Sequence, residues 1–133
     1  MQSSKVTLTT AQILALDATP IELAPAPGPG KIIIPIGVVA VLHAGATPFA
    51  AGSSVHAFIG LEADAHDQEA FTAAFVNAAA DAAAESIFMS SADTDILADY
   101  ENKAINLVAV GAAFTTGDGS LTVTLFYNTA LTS

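Results

Sequence analysis

Four stretches bring together residue types that can do chemistry. "EADAHDQE" (Glu62–Glu69) is the densest polar cluster, and at strand spacing Glu62, Asp64 and His66 share a face as metal ligands do. "DTDILADYE" supplies Asp93, Asp95, Asp99 and Glu101. A calcium loop of the EF-hand type needs glycine at its sixth position and glutamate at its twelfth, and neither cluster has both. "PGPGK" (Pro27–Lys31) has the glycines and lysine of a phosphate-binding loop. Such a loop requires G-x-x-x-x-G-K-[ST], however, and here Ile32 follows Lys31 and Pro25 stands where the first glycine belongs. Lys31 also opens a strand, whereas the phosphate loop opens a helix. The three histidines are scattered, His43 and His56 lie in or beside strand-like runs, and no serine sits in a G-x-S-x-G context. The chain is therefore expected to hold no catalytic, cofactor or metal residue and not to be an enzyme. Two carboxylates can pair without being close in sequence, so a hydrolase of that kind stays as a rival.

Composition narrows the classes further. A chain of 133 residues supports one domain with its own core. Hydrophobic residues make up 53%, but many are alanines between Ala63 and Ala84, so Ile, Leu, Val and Phe must form that core. The absence of cysteine excludes disulfides and thiolate metal sites. With three lysines, no arginine and 13 acidic residues the net charge is −10, which repels nucleic acid and leaves no arginine clamp for phosphate. The N-terminus lacks the apolar segment of a signal peptide. The longest apolar run, Ile32–Leu42, is interrupted by Pro35 and Gly37 and is shorter than the ~20 residues of a spanning helix. The expectation is a soluble protein without a membrane partner, assembled in a host cytoplasm.

The elements that must position any site are mostly strands. Ser3–Thr9 alternates as a short strand or extended arm, and Thr9 or Thr10 can cap a helical turn. Thr19–Leu23 reads as a strand. "PAPGPG" (Pro25–Gly30) excludes helix, because proline fixes φ and removes donors. Lys31–Ala44 reads as a strand buried on both faces, bent near Pro35 and Gly37. Val55–Leu61 and Ser86–Ser91 read as further strands. Residues 68–85 are either one alanine-rich helix, as propensity favours, or a strand over Ala70–Val76 followed by a short helical turn. Ala104–Leu131 reads as a hairpin closed at Gly117-Asp118-Gly119. The fold class is mainly β: an antiparallel β-sandwich or jelly-roll-like barrel with one alanine-rich helical segment. Residues 1–133 form a single domain with an extended N-terminal arm over about residues 1–9.

Two phrases resemble a known group. "LTTAQILALDATPIELAPAPGPGKIIIP" is similar to the opening of small virion structural proteins of tailed bacteriophages, through Thr10, Ala11, Leu14, Leu16, Thr19 and Pro20, then Leu23, Pro25–Gly28, Gly30 and Lys31. "YENKAINLVAVGAAFTTGDGSLTVTLFYNTAL" resembles that group's closing strands around a T-x-G-D-G turn. The alanine-rich middle departs from the pattern. The resemblance implies a capsid decoration or cement protein that binds the major capsid protein on the outer surface of the virion and stabilises the shell as a homotrimer.

Within that reading the candidate interface residues are Val6 and Leu8 on the arm, and Pro25, Pro27, Pro29 and Lys31 at the corner. A tail- or fibre-associated protein is one alternative. A carbohydrate- or receptor-binding β-sandwich module is another, although the chain has no Trp to build an aromatic platform.

Overall fold

The computed structural model describes residues 1–60, 67–88 and 97–133. Strand β1 (Gln2–Leu8) leads through helix α1 (Thr10–Leu14) to β2 (Ile21–Ala24), and the proline corner then opens the long β3 (Lys31–His43). After the short β4 (Ala50–Ala51) come β5 (Val55–Ile59), β6 (Asp67–Phe71), helix α2 (Ala73–Val76) and β7 (Ala82–Ile87). A 3-10 turn (Leu97–Asp99), β8 (Ile105–Ala109), the short β9 (Phe114–Thr115) and β10 (Ser120–Leu131) complete the chain.

The strands form two four-stranded antiparallel sheets packed on each other, in the orders β1-β10-β3-β7 and β2-β8-β5-β6, with β4 and β9 paired separately. Setting aside that small pair, the long strands in chain order occupy positions 1-8-3-6 in one sheet and 2-7-4-5 in the other. First lies beside last, second beside seventh, third beside sixth and fourth beside fifth. This is the winding of a jelly roll, so the fold is the expected β-sandwich in its jelly-roll form.

Period-two patterning explains which side chains fill the sandwich. Leu121, Val123 and Leu125 of β10 and Val38, Ala40 and Leu42 of β3 point inward and are almost wholly buried. They meet Leu23, Val55, Ile105 and Leu107 from the opposite sheet. Leu8, Ile13, Leu16 and Val76 close the ends of the core.

Three expectations are corrected. The segment 68–85 is not one long helix. Its helix is the single turn α2, capped by the Thr72 side chain, and strands β6 and β7 flank it. Alternation in Ala82–Ile87 lets Ala82 and Ala84 pack on the core while Ala83 and Glu85 face out, and sheet pairing with β3 overrides alanine's helix propensity. Nor is Ala104–Leu131 a hairpin. β8 pairs with β2 and β5, and β10 pairs with β1 and β3, so the chain crosses from one sheet to the other between them. The Gly117–Gly119 turn binds a different partner: the Thr47 amide donates to Asp118 Oδ1 at 2.8 Å, and the Asp118 amide donates to the Thr47 carbonyl at 3.1 Å. Finally, β3 is covered on one face only. Its register with β10 shifts between Phe126 and Tyr127, which places a bulge at Ile36 beside Pro35 and Gly37. On its outer face Ile34 remains 45% and Val39 37% exposed.

Candidate functional site

The outer face of β1-β10-β3-β7 is the most distinctive surface among the described residues. Register defines its rows. Thr7, Thr122, Val41 and Ala83 form one row, Lys5, Thr124, Val39 and Glu85 the next, and Ser3, Phe126, Gly37 and Ile87 the third. Beyond the third row, Asn128 lies beside Ile34 on the two central strands. Lys5 and Glu85 are the only charged residues in these three rows, at opposite edges of the sheet, in a chain of net charge −10. Around Gly37 the surface sinks into an apolar depression lined by Met1, Ile36, Val39, Ile87 and Phe126. Ile87 is 77% and Met1 83% exposed. Isolated exposed apolar side chains are ordinary, whereas these form a contiguous group across the sheet.

The glycine at 37 is fixed by the neighbouring strand. A Cβ there would lie 2.5 Å from the Ser86 carbonyl oxygen of β7. Ser86 in turn donates its hydroxyl to the Glu69 carbonyl at 3.1 Å, tying β7 to β6 of the opposite sheet. The depression is thus a by-product of tight strand pairing at the bulge, held at a defined place by the backbone.

The proline corner is a second, rigid feature. The Gly28 amide donates to Asn102 Oδ1 at 2.9 Å and the Gly30 amide to Glu101 Oε1 at 2.7 Å. The Asn102 amide donates to the Lys31 carbonyl at 2.9 Å, and the Thr132 amide to the Gly30 carbonyl at 3.0 Å. The two glycine amides that a nucleotide-binding loop would aim at phosphate are therefore already occupied by side chains of this chain. Pro25 and Pro29 are exposed and Pro27 is half-buried.

The interface candidates separate clearly. Lys31 is exposed at the corner. Leu8 is fully buried in the core and has no surface to offer a partner, and Val6 packs against that core. The N-terminal segment is extended, but it is an edge strand registered on β10 along all seven residues of β1 and not a free arm. Alternation already turned Val6 and Leu8 to one face, and only the sandwich shows that this face is inward. The outward Lys5 and Thr7 are the residues that this strand presents.

Of the polar clusters, Glu62, Asp64 and His66 lie outside the described residues, as do Asp93 and Asp95. Among the described residues no group of three His, Asp or Glu side chains converges to hold a metal ion. His56 lies opposite both Val108 and Glu69 in register and stacks on Phe58 with ring centres 6.2 Å apart, a packed position within the second sheet. Among the described residues no helix is long and apolar enough to cross a membrane. Comparison with protein-family models, with curated proteins and with solved structures finds no match to this chain.

Proposed function

We propose that the protein is a non-enzymatic structural component of a bacteriophage virion, a decoration or cement protein that binds the major capsid protein on the outer surface of the shell. The observation that carries this reading is the proline corner, where exposed Pro25 and Pro29 stand on a backbone held by Glu101 and Asn102; the outer face of β1-β10-β3-β7, with one lysine and one glutamate in its three rows and so no net charge, is a second surface suited to assembly. Such a face is suited to protein contact and not to a charged ligand. Further support comes from the opening and closing phrases, which cover about half the chain in the order of the phage group. The jelly roll is a frequent architecture of capsid proteins, which adds an argument by analogy only. A charge of −10 suits the outside of a shell better than its DNA-facing inside.

In this reading the corner with its exposed Pro25 and Pro29 is the shell contact. Its backbone is already held by Glu101 and Asn102, so little ordering entropy is lost on docking. A carbohydrate-binding module is less well supported, since each of the seven Phe and two Tyr is buried or half-buried. The test is cosedimentation of the purified protein with capsid shells of the encoding phage prepared without it. Saturable pelleting, reduced by the double variant Pro25→Asp/Pro29→Asp, is expected. Absence of the protein from purified virions by mass spectrometry, together with no pelleting, would overturn the proposal.

A further inference from the structure

The rows on the outer face of β1-β10-β3-β7 are complementary to themselves. Consider a two-fold axis lying in the plane of contact, parallel to the strands and midway between β10 and β3. It exchanges β1 with β7 and β10 with β3, and it keeps each row at its own height. In the second row, Lys5 of one copy then stands over Glu85 of the other, and Thr124 over Val39. In the third row, Phe126 stands over Gly37, the largest side chain above the depression left by the smallest. The row beyond sets Asn128 over Ile34. The other in-plane axis, perpendicular to the strands and through the second row, sets Lys5 over Lys5 and Glu85 over Glu85. Like charges at close range are destabilising, and a perpendicular axis moved off this row separates them but also gives up the opposite-charge pair, so the first axis is the one that pairs Lys5 with Glu85.

From this we infer that the occupant of the face is a second copy of the same chain, docked through an isologous two-fold contact along β10 and β3. The inference rests on reading this face as a protein-contact surface, and it names the partner at that surface. A two-fold contact needs one self-complementary patch, which this face supplies, whereas a three-fold ring needs two different patches that fit each other. The three-fold assembly implied by the phage resemblance would leave this face uncovered or use it in part. The contact is modest in size. Four strands at ~4.8 Å spacing and six rungs at ~3.4 Å give a face of about 20 by 20 Å, extended along β3 and β10. That is about 400 Å² from each copy, below the size of stable interfaces, so the dimer is weak and transient and should become populated only toward high micromolar concentrations.

Lys5 and Glu85 also provide a direct readout. Within one chain they are three strand spacings apart, ~14 Å, beyond the combined reach of the two side chains for a zero-length cross-link. Carbodiimide treatment of an equal mixture of isotope-labelled and unlabelled protein should therefore join Lys5 to Glu85 between chains, as seen by mass spectrometry. Sedimentation across micromolar to near-millimolar concentration should show a monomer–dimer equilibrium. Val39→Glu should weaken it by about tenfold or more, because a charge is placed at the centre of an apolar contact. Thr124→Glu should do the same from the neighbouring strand, and circular dichroism reports whether each variant is folded. Lys5→Glu and Glu85→Lys should each weaken the dimer by several-fold, and the double exchange should recover most of the loss, as coupled partners do.

A protein that stays monomeric throughout, or a trimer unaffected by Val39→Glu and lacking the Lys5–Glu85 cross-link, would overturn the inference. A strictly monomeric protein that still pellets with shells removes the dimer and keeps the virion proposal. A dimer with the cross-link that never pellets keeps the two-fold contact and removes the shell.

Discussion

The Gly30 amide donates to Glu101 Oε1 at 2.7 Å, a bond between residues 71 apart in sequence. It joins the proline corner before β3 to the turn before β8. A hydrogen bond to a carboxylate contributes about 1.5–3 kcal/mol at most, less where water has access. Glu101→Ala is expected to lower stability by about 1–2 kcal/mol in urea unfolding. Lys31→Ala, which removes an exposed side chain next to the same corner, should stay within about 0.5 kcal/mol of the wild type. Neither variant should change nucleotide affinity in calorimetry, because no nucleotide binding is expected; tight binding abolished by Lys31→Ala would contradict the structural role of the corner.

Gly37→Ala tests the close pairing of β3 with β7. The added methyl would lie 2.5 Å from the Ser86 carbonyl oxygen, a backbone atom that cannot swing aside. The expected loss is about 1–3 kcal/mol, the usual range for forcing extra volume into a packed site. A variant as stable as the wild type would show that the strands separate easily at the bulge.

The turn before β10 contains two glycines with different constraints. Gly117 has φ +93°, which other residues adopt only with strain, and a Cβ there would run into the Phe49 ring. Gly119 has no such φ, and its limit is the His43 carbonyl, 2.6 Å from where a Cβ would stand. Gly117→Ala and Gly119→Val should each destabilise by ~1 kcal/mol or more.

Leu125 and Ile87 carry the same apolar chemistry to opposite outcomes. Leu125 is fully buried between the sheets, and Leu125→Ala should cost about 2–5 kcal/mol. Ile87, 77% exposed on the outer face, should tolerate Ile87→Ser within about 0.5 kcal/mol when unfolding is measured on dilute protein.

Removal of residues 1–4 strips three of the seven paired positions of β1, those of Gln2, Ser3 and Ser4. At roughly 1 kcal/mol net for each lost backbone hydrogen bond, the truncated protein should be about 1–3 kcal/mol less stable. Hydrogen exchange would rise at those amides of Leu125–Tyr127 that point to β1, and not at the alternate ones that point to β3. A truncated protein of unchanged stability would mean that β1 behaves as the loose arm its sequence resembles.

The mainly β class and the local state of several segments were legible in the sequence. Alternation in Ser120–Leu131 marked a strand, three prolines in six residues kept helix from the corner, and the −10 charge without arginine set the expectation of no nucleic-acid partner. These follow from the stereochemistry of neighbouring residues, which a chain carries wherever it folds. Tertiary structure decided the rest. Pairing with β3 turned the alanines of Ala82–Ile87 into a strand, because a ladder partner outweighs a propensity of a few tenths of a kcal/mol per residue. The apparent hairpin around Gly117–Gly119 was divided between two sheets, because antiparallel alternation says nothing about which strand is the partner. The same alternation marked Val6 and Leu8 as equivalent to any outward pair until the second sheet covered them. The outer face, with Lys5 and Glu85 in one row although 80 residues separate them in the chain, exists only once β1, β10, β3 and β7 are in register.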